Sequence, residues 1–213
     1  MRRILASLAF LFLGGCVSAG STSGPLGSSG PLGGKYDGAD AGYLILTLGA
    51  QAGTAYSDYA IFFRKRDGSA SGSIWWGQGN MFDRRKLDID DNKEKALVDV
   101  RRLPPGDYEV FNFDVHMNGG TIQESWRARR NFSIPFTIAP GGATYLGEFI
   151  AVKLTGHNFF GMAVPDGAYF LLSDKAERDL PVARLKEAGL AEASDAFVDP
   201  KNLDNPLLRA GGP

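Results

Sequence analysis

The chain has few of the side chains that build a metal or redox centre. One cysteine, Cys16, and two histidines, His116 and His157, occur in 213 residues. A single cysteine cannot close an intramolecular disulfide. The histidines lie about 40 residues apart with no further thiol to complete a zinc site, so each is read as structural or at the surface. A basic excess is also missing. Without Arg2 and Arg3, the 23 basic side chains fall by two against 24 acidic ones, for a net charge of about −3. Nothing in that balance would hold a phosphate backbone, and nucleic acid is not an expected partner. No later apolar run reaches about 18 residues, so no membrane-spanning helix is predicted. The serine-hydrolase elbow G-x-S-x-G is absent too: Gly68-Ser69-Ala70-Ser71-Gly72 carries alanine at the nucleophile position.

What is present begins at the amino terminus. Met1-Arg2-Arg3 is a short positive segment, and Ile4 to Leu13 is almost wholly apolar. At about 10 residues this run is too short to cross about 30 Å of hydrocarbon. The order of charge, apolar run and small residues is that of a secretory signal peptide. Leu13-Gly14-Gly15-Cys16 closes it. That tetrad resembles the lipobox of bacterial lipoproteins, with Gly14 where alanine or serine is more usual. The resemblance implies residues 1–15 as signal peptide and Cys16 as the site of lipidation. A free thiol, a disulfide half and an ordinary cleaved signal are the competing readings. Two or three acyl chains, at about 0.8 kcal/mol per buried methylene, make a durable anchor. Val17 and Ser18 follow in place of the aspartate that tends to retain such proteins at the inner membrane. The expected location is therefore the bacterial cell envelope, at the outer membrane.

Residues 16–34 are nearly all Ser, Gly, Pro, Thr, Ala and Leu, and Ser23-Gly24-Pro25-Leu26-Gly27 recurs as Ser29-Gly30-Pro31-Leu32-Gly33. Such a segment has too little apolar surface to offset its ordering entropy and is predicted to be a flexible tether. Beyond it, short β-prone runs alternate with turn residues. Gly42–Leu48, Asp58–Lys65, Ser73–Trp76, Ala96–Arg101, Tyr108–Val115, Asn131–Ile138, Ala143–Leu154 and Ala168–Leu172 read as strands. Gly42–Leu48 is apolar enough to be buried on both faces. Pro135 argues for an edge or a bend. Tyr108–Val115 departs from strict alternation. Residues 35–173 are thus expected to form a mainly β domain, an antiparallel β-sandwich. Residues 174–213 carry the only helical signals. Asp174 and Glu177 fit a capping box, Pro181 predicts a break followed by a second helix, and Gly189 predicts its end.

Val100-Arg101-Arg102-Leu103-Pro104-Pro105-Gly106-Asp107-Tyr108-Glu109-Val110 is a strand, a Pro-Gly turn and an aromatic-led strand. Phe136-Thr137-Ile138-Ala139-Pro140-Gly141-Gly142-Ala143-Thr144-Tyr145-Leu146-Gly147 repeats that logic, and Ser173 to Leu180 then opens a helix. Together, over Ala96 to Leu190, they resemble uncharacterised bacterial lipoproteins with a transthyretin-like or carboxypeptidase-regulatory-like β-sandwich, an Ig-like architecture. The resemblance implies a non-enzymatic domain attached to an envelope membrane and carries over no catalytic residue.

Among candidate sites, Asp88-Ile89-Asp90-Asp91-Asn92 lacks the glycine a calcium loop needs, since Lys93 stands there; it reads as a solvated acidic turn. No metal and no cofactor are implied. Asp114 and His116 share one strand face, and a serine beside them would mimic a catalytic triad. Trp75 and Trp76 are adjacent, so on a strand one ring faces the core and the other faces out. Trp75, Trp76 and Trp126 are the candidate ligand-binding residues, with Phe159 and Phe160 as further candidate aromatics. Arg127, Arg129 and Arg130 form a basic cluster after Trp126. The function these features predict is a lipid-anchored, non-enzymatic interaction module. Its partners are the membrane, through Cys16, and an envelope protein, peptidoglycan or a glycan. Carbohydrate or peptide binding through a tryptophan is one alternative. A hydrolase whose carboxylates meet only in the fold is the other.

Overall fold

The computed structural model describes residues 26–29, 32, 34, 36–53, 58–77, 86–118 and 123–212. Cys16 and the signal segment lie outside them. The strands are β1 Leu26–Ser29, β2 Gly42–Gln51, β3 Asp58–Lys65, β4 Ser71–Gly77, β5 Ile89–Asp90, β6 Glu94–Leu103, β7 Gly106–Asn118, β8 Gln123–Arg127, β9 Ile134–Ile138, β10 Ala143–His157, β11 Ala163–Ser173, β12 Ala193–Asp195 and β13 Leu208–Ala210. The α-helix α1 spans Ala176–Lys186. The protein is mainly β, in two sheets. The first runs β1-β4-β3-β7-β8, with β9 also on β7; the second runs β13-β11-β10-β2-β6-β5, with β12 also on β10. Among the described residues no helix is long and apolar enough to cross a membrane.

Alternation along the strands builds the main core. Leu44, Leu46 and Leu48 of β2, Ile61 and Phe63 of β3, and Phe113 and Phe170 belong to one buried cluster drawn from both sheets. The other face of β2 is buried as well, because Ile45 lies with Val98, Tyr145 and Ala183 of α1 in a second cluster. This is the two-sided burial that its apolar run predicts. The irregular period of β7 has a structural cause. Phe62 pairs with Asn112 but Phe63 pairs with Val110, so Phe111 is an inserted bulge residue. The insertion lets Tyr108 and Val110 face the core on one side of it and Phe113 and Val115 on the other. It also divides β7 between two partners, β9 along Gly106–Val110 and β8 along Asp114–Asn118. Pro135 sits in β9, which among the described residues pairs with β7 alone. Before β7, Gly106 takes φ +148, a conformation open to glycine, and the Tyr108 hydroxyl donates to the Pro104 carbonyl at 2.6 Å, closing the turn.

Three expectations change. The second sheet is mixed rather than antiparallel: β10 pairs parallel with β2 and β12, and β11 with β13. Parallel neighbours need a long crossover; β3, β4, β7, β8 and β9 of the first sheet all lie in the chain between β2 and β10. The stretch predicted as tether contributes β1, paired with β4, while Leu32 is buried and its N–H reaches the Ser71 carbonyl. Helix α1 is continuous through Pro181. Proline forfeits only the bond to the Glu177 carbonyl, and side chains on both flanks pin the helix to the sheet. Asp174 accepts from the Ala176 N–H, but Lys175 is the N-cap and makes no side-chain cap; the helix ends at Lys186, ahead of Gly189.

Candidate functional site

The β7 bulge also organises the neighbouring loop. The Asn112 amide group donates to the Ala128 carbonyl and to Asn131 Oδ1, and its oxygen accepts from the Ala128 N–H. The Phe132 N–H reaches the Phe111 carbonyl at 3.1 Å. The segment joining β8 to β9 is therefore clamped at both ends, and Arg129 and Arg130 are exposed on it. One position before this segment Arg127 turns outward, and before that Trp126, opposite Val115, turns inward against the core.

Trp126 forms one wall of a cleft of about 550 Å³. Phe113, Leu154 and Ala168 line its apolar part, Arg127, Arg129 and Arg130 one polar flank, and Asp166 and Asp204 further polar positions. Gly167 packs its backbone on the indole: a β-carbon there would lie 3.6 Å from Trp126 Cδ1, and its φ is +103. The Asp204–Leu207 wall is held by Leu207, whose N–H bonds Asn205 Oδ1 and whose carbonyl accepts from Phe170. Arg127 has a partner, since its Nε and Nη2 both lie 2.9 Å from Asp114 Oδ2. Arg129 and Arg130 have no carboxylate partner among the described residues.

The three tryptophans separate. Trp76 is 2% exposed in the core, beside Tyr59 at 5.5 Å, and is no ligand-stacking residue; strand alternation turns it inward. Trp75 is the outward ring. It is half-buried on the outer face of the first sheet, with its Nε1 donating to Ser73 Oγ at 2.6 Å. Phe62 packs against Trp75 at 6.3 Å and Phe111 at 6.2 Å, with the Arg127 guanidinium 5.3 Å from the Phe62 centroid and that of Arg64 4.6 Å from Phe111. Trp75 and Trp126 thus belong to opposite faces of one sheet.

The carboxylates have other partners. Ser125 donates to Asp114, so its hydroxyl serves the carboxylate and not His116. Asp91 accepts from the Lys93 and Glu94 N–H groups, which hold its carboxyl below the usual range, and Asp88 accepts from the Val98 N–H and Lys186. Among the described residues no group of metal-ligating side chains comes together. Glu148 lies in the other sheet, under α1. There Arg178 bonds Glu148, Glu94 at 2.6 Å and Asp179 at 2.7 Å, while Asp179 also accepts from Thr47 at 2.6 Å and Tyr145 at 2.8 Å. Burial pushes the Glu148 carboxyl up to about 7 against the pull of Arg178. Burial and then Asp179 raise the Tyr145 hydroxyl. Only Glu148, a charge inside the apolar run of β10, signals this cluster in the sequence.

The chain matches no family model and no curated protein. A leucine-rich repeat protein from Bacteroides thetaiotaomicron VPI-5482 is a solved structure similar to it. It is 12% identical over 53% of this chain and 14% of that one, with a TM-score of 0.32. A likeness of that size carries no argument about fold or activity.

Proposed function

We propose that this is a lipid-anchored bacterial envelope protein, tethered through Cys16. In this reading its β domain is a sandwich and a non-enzymatic binding module, and its cleft takes an anionic stretch of envelope polymer. The observation that carries the reading is the pair Arg129 and Arg130, exposed beside a half-buried Trp126 on a cleft of about 550 Å³. Two exposed guanidinium groups, with no carboxylate partner among the described residues, next to an aromatic wall suit a ligand with carboxylates or phosphates and a flat ring or peptide plane. The sandwich rests on the buried cluster shared by the two sheets. The anchor rests on the Leu13–Cys16 tetrad.

Sedimentation with purified peptidoglycan sacculi tests the cleft. Wild type should co-sediment at low salt, and Arg129→Glu with Arg130→Glu should weaken binding at least tenfold. Equal binding by the two proteins would remove the cleft from the proposal. The outer face offers a second reading, because Trp75, Phe62 and Phe111 form a supported aromatic platform. Loss of binding in Trp75→Ala with Trp126→Ala unaffected would move the site there. Membrane retention of Cys16→Ala, compared with wild type, tests the anchor. Equal retention overturns it.

A further inference from the structure

The β10–β11 hairpin ends in the largest exposed apolar side chains of the described residues. Phe159 is 97% exposed, Phe160 80% and Met162 57%. They sit on a rigid turn. Asn158 Oδ1 accepts from the Phe160 and Met162 N–H groups at 3.0 Å each. The Asn158 N–H reaches the Met162 carbonyl and the Gly161 N–H the Asn158 carbonyl, while Gly161 takes φ +75. The two phenyl rings meet edge to face at 5.5 Å. Folding leaves most of this surface exposed.

We infer that this tip inserts into the surface of a lipid bilayer. Three features favour lipid over a protein partner. The tip is convex, two rings and a thioether on one turn, a shape that offers a flat protein surface little area but enters fluid acyl chains freely. Its amides at Asn158, Phe160, Gly161 and Met162 are bonded within the turn, as entry into a medium without water requires. His157 to Ala163 holds no carboxylate, so nothing there repels an anionic headgroup. The reach is also adequate, and on this point alone the inference rests on the Cys16 anchor. Nine residues, 17–25, separate Cys16 from the first described strand, so ten Cα-to-Cα steps span up to about 33 Å of chain. A domain of this size has a radius of gyration of about 16 Å, so a lipid on Cys16 allows either end of the domain to meet the membrane. Insertion of the tip would set the orientation that a tether alone leaves free.

The test uses the full chain with Cys16→Ala, so that no lipid is attached, and Met162→Cys carrying an NBD fluorophore. Vesicles of phosphatidylethanolamine and phosphatidylglycerol are prepared with and without brominated acyl chains. Quenching by brominated lipid should be at least threefold greater at position 162 than for the same label on Ser69→Cys, in a polar turn. Adding Phe159→Ser and Phe160→Ser should bring position 162 down to the Ser69 level with an unchanged melting temperature. Equal quenching at 162 and 69, or quenching that survives the double change, overturns the inference. A label at 162 that responds to protein concentration without vesicles assigns the tip to a second copy and overturns it too. Absence of an acyl chain on the natural Cys16, read by metabolic labelling, would count against the anchor and leave the quenching result standing.

Discussion

Two charged clusters flank this fold and use the same residue types to opposite ends. Under α1, Arg178 meets Glu94, Glu148 and Asp179, and Asp179 is fully buried. At the cleft, Arg127 is satisfied by Asp114, but Arg129 and Arg130 point outward with no carboxylate partner among the described residues. In the first arrangement every charged group has a partner within the cluster. It is a lock that docks one helix on the outer face of the second sheet, aided at the other end by Lys186 on the Val98 carbonyl at 2.6 Å. The second leaves two guanidinium groups exposed, and these are the groups the proposed function uses. The lesson is that arginine content is uninformative until the facing groups are known.

The contrast can be broken most forcefully at Arg178. Arg178→Ala should destabilise the protein by about 3 kcal/mol, because it leaves buried carboxylates uncompensated. Chemical denaturation measures this, and amide exchange should show α1 opening first. A change below about 1 kcal/mol would show that the cluster is not a lock. At the cleft, Gly167→Ala should cost about 1–2 kcal/mol through its positive φ. The added methyl would meet Trp126 at ordinary contact distance, so the loss should come with little change in tryptophan emission. The pH dependence is smaller and has a definite sign. Glu148 binds its proton more tightly in the folded state than the unfolded value of 4.5. Stability should therefore fall as pH rises from about 4.5 to about 7, by at most about 1.4 kcal/mol per pH unit for one proton. Asp99, raised by burial, acts in the same direction. Glu109, Asp67 and Asp91 have lowered values, so their contributions are lost only at more acid pH, outside this window. Glu148→Gln should flatten the slope in urea titrations at stepped pH. The smallest effect belongs to Arg129→Ala with Arg130→Ala, within about 0.5 kcal/mol of wild type in a thermal melt. A larger loss would show that these arginines hold structure too.

Much of the sheet framework was legible. Asp58–Lys65 has the ends its pattern predicts, and the broken alternation around Phe111 marks a real bulge. Turn residues at Pro104–Gly106 and Gly141–Gly142 separate strands as their backbone preferences require. Other features were not legible because they depend on distant partners. Leu26–Ser29 has no strand signal of its own and borrows order from the free edge of β4. Pro181 is a breaker by local rules, yet the helix around it is held through Arg178 and Ala183 to residues of the second sheet. Trp126 and the arginines were visible as a cluster, but their cleft also needs Gly167 and Asp204–Leu207, which arrive from the far end of the chain.

Local order in this protein follows from the chain itself. Side-chain alternation and glycine at positive φ act over a few residues and need no distant partner. Parallel pairing of β2 with β10, the sorting of Trp75 from Trp76 in depth, and the division of arginines into ion-paired and exposed were decided by the tertiary structure. The physical reason is that burial and charge compensation are properties of what faces a side chain, and the groups that face Arg178 come from as far as 84 residues away.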